Sequence, residues 1–311
     1  MRIWRRGRTL ARLGGNDGGE ARRLAELERT AGAVPEGCAW LDDRTVDDLD
    51  LGQVFGAIDR TRTATGAQVL WRWLTAPVRD LERLAARERE IAAVGDPAVR
   101  ERLGAALGTT PVADAAMLPR LLWEPPAAPL QGALLWGLAG ALIALLAIAR
   151  WWPPALLGVV AIFGVNLIVD DWSKLRLAQQ ARGLEVLDDA LKRAARLAAA
   201  VPAPLAPPDL GVRHLFHRRM AILALQDPFD VLNLLRAGLL VRLIVTRNAM
   251  QLVEAERDRL RAIVLWLGNV DAACSVAALR AERADTRVAE VVEGDRMIVA
   301  RDLVHPAIAN A

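Results

Sequence analysis

Tyrosine is absent from this chain of 311 residues, lysine occurs only at Lys174 and Lys192, and cysteine only at Cys38 and Cys274. Two cysteines make at most one bridge, which excludes a small secreted fold stapled by disulfides; free thiols in a reducing compartment are the expectation. The scarcity of lysine excludes more. A nucleotide-binding P-loop closes on Gly-Lys-Ser/Thr, so that backbone amides and an ammonium hold the phosphates. Lys174 follows Ser173 and Lys192 follows Leu191, so that motif has no place here. Net charge is also small, +3, and any nucleic-acid contact has to come from a local patch. A hydrophobic share of 53% excludes global disorder. The preference for arginine and alanine suggests a GC-rich genome.

Charge is nearly missing from the middle of the chain. From Pro125 to Val169 there are 45 residues with a single charged side chain, Arg150. A bilayer core about 30 Å thick is crossed by roughly 20 helical residues. Leu130 to Ala149 is an uncharged run of 20 and Trp151 to Val169 one of 19, so two spans fit. In the first, seven leucines with Ile143 and Ile148 favour insertion by roughly 3–5 kcal/mol together. The second contains one amide, Asn166, and Gly132, Gly137, Gly140, Gly158 and Gly164 permit close approach of the two helices. Arg150-Trp151-Trp152-Pro153-Pro154 is predicted as the turn: proline breaks the helix, tryptophan suits the headgroup layer and arginine reaches water. Both termini then lie on one side. Arg120, Lys174, Arg176 and Arg182 outnumber Arg150 and place that side in the cytoplasm, so a multi-pass protein of the cytoplasmic (inner) membrane is expected. The competing reading, a buried hairpin of a soluble protein, is disfavoured because soluble core helices rarely run this long without charge. No cleavable signal peptide is expected, since Arg2, Arg5, Arg6 and Arg8 precede no apolar stretch.

The flanking sequence reads as helical. A polar segment, 1–40, contains a flexible Gly14-Gly15-Asn16-Asp17-Gly18-Gly19 link and a short charged helix over Glu20 to Thr30. Leu49, Leu51, Val54, Phe55 and Ile58 form an apolar face that Asp47 or Asp48 can cap. Thr63 or Thr65 caps a further helix running to Pro77, and Asp80 to Val94 makes another with Leu81, Leu84 and Ile91 inward. Leu184, Leu187, Leu191 and Ala194 carry a stripe that Pro202, Pro204, Pro207 and Pro208 end. Leu239, Leu243, Thr246, Met250, Val253, Arg257, Leu260, Val264 and Leu267 follow a four-three alternation, a coiled-coil seam on one helix from Val231 that would extend about 55 Å. Glu254–Arg257 and Asp258–Arg261 pairs are expected on its solvated face. Past Gly268 the elements are expected to shorten, and Glu290 to Arg301 alternates as a strand through Val291, Val292, Met297, Ile298 and Val299.

Chemistry is sparse. His214 and His217 stand among Arg213, Arg218 and Arg219, with no further ligand at metal spacing. A surface turn is the preferred reading, ahead of a phosphate-facing cluster and of a metal site. No Ser-His-Asp or paired-carboxylate arrangement is defensible from spacing.

Two blocks carry a resemblance. Leu41-Asp42-Asp43-Arg44-Thr45, Asp48-Leu49-Asp50-Leu51, Val54-Phe55 and Ile58-Asp59-Arg60-Thr61-Arg62-Thr63-Ala64-Thr65-Gly66, closing on Leu74-Thr75-Ala76-Pro77, resemble the core domain of the MutS family. The second block, Leu267-Gly268-Asn269-Val270-Asp271-Ala272-Ala273-Cys274-Ser275-Val276-Ala277 with Val304-His305-Pro306-Ala307-Ile308, resembles the return from the lever helices and the opening of the ABC-type ATPase. No Phe-x-Glu wedge follows Phe55, Phe163, Phe216 or Phe229. The chain is thus similar to a membrane-inserted branch of that family, cut before its P-loop.

The resemblance implies a mainly α fold: a MutS-like core, first part, at 41–124; a transmembrane helical hairpin at 125–171; lever and core helices at 172–289; and the start of a truncated α/β ATPase at 290–311. It implies that Asp59, Arg60, Thr61, Thr63 and Gly66 shape a turn between core helices. Asp271 and Ser275 would join lever to ATPase, and His305 and Pro306 would stand at the entrance of the nucleotide domain. It also implies a homodimer, DNA binding, and ATP with Mg for the full-length protein, while the uncharged hairpin itself implies contact with membrane lipid. This chain alone is expected to be inactive, with no catalytic, cofactor-binding or metal residue of its own. The alternative from the seam is a membrane scaffold that dimerises through its long helix with no nucleic-acid role.

Overall fold

A computed structural model describes residues 19–33, 37–109, 114–125, 132–224, 238–283, 286, 288 and 289. The fold is mainly α, and among the described residues there is no strand, only an isolated bridge between Cys38 and Val78. Helices follow in the order α1 (Gly19–Thr30), α2 (Asp43–Asp48), α3 (Leu51–Ile58), α4 (Ala64–Thr75), α5 (Leu81–Ala93), α6 (Pro97–Leu107) and α7 (Met117–Trp123). After these come α8 (Gly132–Ala149), α9 (Ala155–Ala198), α10 (Val212–Ala224), α11 (Val241–Ala255) and α12 (Arg257–Glu282). Asp42, Thr63, Asp80 and Asp96 cap α2, α4, α5 and α6 by accepting backbone N–H bonds, which satisfies donors that a helix start leaves free.

Several expectations are corrected. The face expected behind Asp47 or Asp48 starts later: Asp42 caps a separate α2 that closes at Leu49, and Leu51, Val54, Phe55 and Ile58 belong to α3, whose N-cap Asp50 adopts φ 46°. Leu49 is 52% exposed as a result, and Leu81, at the first position of α5, also faces solvent. The single arm does not form, because the chain leaves helical geometry at Glu256, between α11 and α12. Nor do the elements shorten after Gly268: α12 runs through it, since apolar residues at helical spacing continue on both sides. Gly268 is needed there because a Cβ would overlap the Val69 side chain of α4. His214 and His217 lie on α10 rather than in a turn. The Gly14–Gly18 part of the link, Leu130, the start of the arm at Val231, the strand at Glu290 to Arg301, His305 and Pro306 lie outside the described residues.

The chain divides into two compact units. The first takes Met1–Pro119, Lys192–Leu210 and Ala262–Ala311. In its core α1 packs on α4, where Glu28 pairs with Arg72 at 2.6 Å and Arg22 stacks over Trp71. Phe55 meets the same Trp71 ring edge-on at 5.4 Å. The Trp266 indole N–H of α12 donates to the Leu205 carbonyl at 3.0 Å, so its polar tip is satisfied inside the core.

The second unit takes Arg120–Leu191 and Gly211–Arg261. Here Val212, Phe216 and Met220 bury one face of α10, which packs on α11. Leu135, Ala139 and Leu142 make the buried stripe of α8. The α8–α9 connection falls at Arg150 to Pro154, and Trp151 and Trp152 are 82% and 61% exposed. α9 continues for 44 residues, about 66 Å, well past the second apolar run.

Three described helical segments are long and apolar enough to cross a membrane: Gly132–Ala149, Ala155–Ser173 and Arg257–Glu282. The protein itself covers them very differently. The last is 72% buried, while the first two are each only 17% buried.

Candidate functional site

The turn between α3 and α4 is held from a helix more than 200 residues away. Thr63 caps α4, its hydroxyl accepting from the Gly66 N–H at 3.0 Å. Into the same helix start reaches Asp271 of α12. Its Oδ2 accepts from the Thr63 N–H at 2.8 Å, the Thr63 hydroxyl at 2.7 Å and the Arg62 N–H at 3.0 Å. A side-chain carboxylate therefore occupies the place where a helix N-terminus attracts an anion. Gly66 is required by this arrangement, because a Cβ would overlap the Asp271 carboxylate.

One turn further along α12, Ser275 continues the clasp. Its hydroxyl accepts from the Arg60 N–H at 2.7 Å, and it reaches the Ile58 carbonyl at 3.5 Å. The Arg60 guanidinium pairs with Glu282 at 2.9 Å and donates to the Ala57 carbonyl at 2.7 Å. Within the turn, Asp59 Oδ1 accepts from the Thr61 N–H and hydroxyl at 2.9 and 2.6 Å, while its Oδ2 is buried with no hydrogen-bond partner. Asp59, Arg60, Thr61, Thr63, Gly66, Asp271 and Ser275 are thus brought together; His305 and Pro306 lie outside the described residues. Asp271 and Ser275 both sit inside α12, with their side chains spent on the 60–63 turn.

Burial sets the electrostatics. It pushes the Asp271 carboxyl up to about 6, against the pull of the Thr63 and Arg62 donors, and the nearby Asp59 charge adds to the rise. Burial likewise raises Asp59 to about 6, opposed by Thr61 and Arg60. It also pushes the Cys274 thiol far up, reinforced by the Asp271 charge, which keeps the sulfur protonated and unreactive. The arrangement contains no nucleophile paired with a base; its chemistry is that of a clasp.

Other polar anchors carry no sequence signature. Arg257 and Arg261, expected on a solvated face, both donate to the Leu122 carbonyl at 2.9 Å, and Arg257 also reaches Glu124. They complete the carbonyl end of α7 while keeping their pairs with Glu254 and Asp258. The seam residues Leu243, Thr246, Val253, Leu260, Val264 and Leu267 are buried within the chain itself. On α10, His217 Nδ1 lies 3.3 Å from Asp188, and no group of three metal-ligating side chains occurs among the described residues.

No family model matches the chain, and no solved structure matches it. Curated proteins do. The DNA mismatch repair protein MutS of Anaeromyxobacter dehalogenans (strain 2CP-1) is 36% identical over 172 residues, covering 52% of this chain and 17% of that protein. MutS of Roseiflexus sp. (strain RS-1) is 36% identical over 73 residues, covering 21% of this chain and 7% of that protein. The chain spans less than a fifth of the length of these relatives, and in sequence it is related to MutS.

Proposed function

We propose that this chain is the membrane-anchored part of a mismatch-repair-related protein of the MutS kind. In this reading α8 and the Ala155–Ser173 segment of α9 cross the cytoplasmic membrane, with both flanks in the cytoplasm. α11 and α12 serve as the lever, and the Asp271–Thr63 clasp ties that lever to the core turn. The complete protein would bind ATP and DNA, act as a homodimer and turn nucleotide state into lever movement. The chain has no P-loop, since no lysine follows a glycine, and no step of phosphate chemistry is assigned to it.

The observation that carries the membrane half is the contrast in burial. Leu134, Trp136, Ile143, Leu146, Leu157, Val160, Ile168 and Trp172 remain exposed on two helices that the protein covers only 17%. Monomeric soluble proteins rarely leave so contiguous an apolar surface in water. The third apolar segment, at 72% burial, has its partners within the protein and is read as a core helix.

Two measurements test the reading. In intact cells, a thiol placed by Trp151→Cys is expected to react with a membrane-impermeant reagent from outside; reaction only after lysis overturns the topology. Duplex DNA binding by the complete protein is expected to weaken steeply with salt, as phosphate contacts release counterions. Absence of binding at low salt overturns the DNA role.

A further inference from the structure

Asn166 is the one amide in the second apolar segment, it is fully buried, and the hairpin alone does not account for it. Its side-chain N–H donates to the Gly238 carbonyl at 2.6 Å. At 1.5 Å per residue Asn166 lies about 16 Å along α9 from its start at Ala155. If Ala155 marks one face of a hydrocarbon layer about 30 Å thick, that is about 14 Å inside the other face. The neighbouring contact is deeper still. A Cβ on Gly238 would overlap the Phe163 ring, so this backbone lies directly on a residue close to the middle of the layer.

The segment after Gly238 is largely apolar, with Leu240, Leu243 and Ile244 buried and the residues between them half-buried. Leu240, fully buried, adopts φ 52°, in the left-handed region that favours glycine. It clusters with Leu243 and Ile244, with Leu135 and Ala139 of α8, and with Leu177 of α9. Next to them, Arg242 donates to the buried Asp170 carboxylate at 3.3 Å and to its carbonyl at 3.2 Å. Asp170 lies about 22 Å along α9 from Ala155, toward the far rim of the layer, where an arginine can neutralise it and extend toward the headgroups.

We propose that Gly238–Ile244 is a third membrane-embedded element, which enters the hydrocarbon layer from the cytoplasmic side and wedges between α8 and α9. It rests on the two-span reading above. Backbone that interrupts its helix, as this one does at Leu239 and Leu240, is tolerated at such depth only where protein satisfies its polar groups. The Asn166 amide does this for the Gly238 carbonyl. The same assignment accounts for a glycine at 238, for apolar residues at 240, 243 and 244, and for a buried aspartate in α9 facing an arginine of α11.

The test uses the full chain, with Cys38→Ser, in nanodiscs of phosphatidylethanolamine and phosphatidylglycerol. Spin labels are placed singly through Leu146→Cys, Leu239→Cys and Leu215→Cys, and collisions with oxygen and with a water-soluble nickel chelate are compared. Labels at 146 and 239 are expected to favour oxygen, and the label at 215, on the exposed face of α10, to favour nickel. Nickel access at 239 equal to that at 215, with 146 still protected, overturns the wedge and leaves the two spans standing. Nickel access at 146 overturns both. Adding Asn166→Leu is expected to leave 146 protected and to raise nickel collisions at 239 severalfold; no change at 239 also overturns the proposal.

Discussion

Asp59 and Asp271 are both buried, both raised to about 6 by that burial, and they do different work. Asp271 receives three donors, two of them backbone N–H groups at a helix start. Asp271→Ala strands those donors and is expected to lower unfolding stability by about 3 kcal/mol, read by tryptophan fluorescence in detergent. Asp59 leaves one oxygen buried and unpaired, so its charge is a net burden at neutral pH. The folded carboxyl binds its proton more tightly than the unfolded one, whose value is 3.8. Its contribution to stability is therefore fully present below about pH 4 and lost as pH rises through about 6. Asp59→Asn keeps an acceptor for Thr61 and removes that loss. The variant is expected to gain on the parent chain by about 2 kcal/mol between pH 4 and pH 7. A constant difference across that range contradicts the assignment. Gly66 was legible as part of a turn, but its need to be glycine comes from Asp271, far away in sequence.

At the scale of elements, helix starts were readable and helix partners were not. Asp80 and Thr63 cap where a short polar side chain precedes an apolar period, because that interaction closes within three residues. The break at Glu256 and the continuity through Gly268 depend on packing that no local pattern records. The same holds for Arg257 and Arg261. Their spacing to Glu254 and Asp258 is that of ordinary solvated pairs, yet their guanidinium groups finish α7. Arg257→Ala combined with Arg261→Ala is expected to speed amide hydrogen exchange in Met117–Trp123 by more than about tenfold, since charged hydrogen bonds are worth about 1.5–3 kcal/mol each. Unchanged exchange there indicates that α7 is held by its apolar contacts alone.

For the whole molecule the deciding balance is between lipid and water. The exposed positions Leu146 and Val160 lie on the two segments that the protein covers least. Leu146→Asp with Val160→Asp adds about 5–7 kcal/mol to insertion on the translocon scale. Shared between the two spans, that cancels most of the gain of roughly 3–5 kcal/mol that the first span makes on the same scale. Alkaline carbonate is expected to release the double variant from membranes and to leave the parent chain in the pellet. Release of both chains refutes the anchor. The two sequence blocks that resemble the MutS family lie on either side of the apolar hairpin, and the structure brings residues of both blocks to one turn.

The amino-acid sequence by itself determined the mainly helical fold, the uncharged hairpin with its proline turn, and the exclusion of a P-loop. Each is a property of adjacent residues: hydropathy over a run, the missing N–H of proline, or a residue type that does not occur. Only the tertiary structure decided that Asp271 answers Thr63, that Asn166 answers Gly238, and that the seam is buried within the chain. Those pairings join residues between 72 and 208 positions apart. Their energy comes from satisfying polar groups that burial has taken out of water, and burial is known only once the chain has folded.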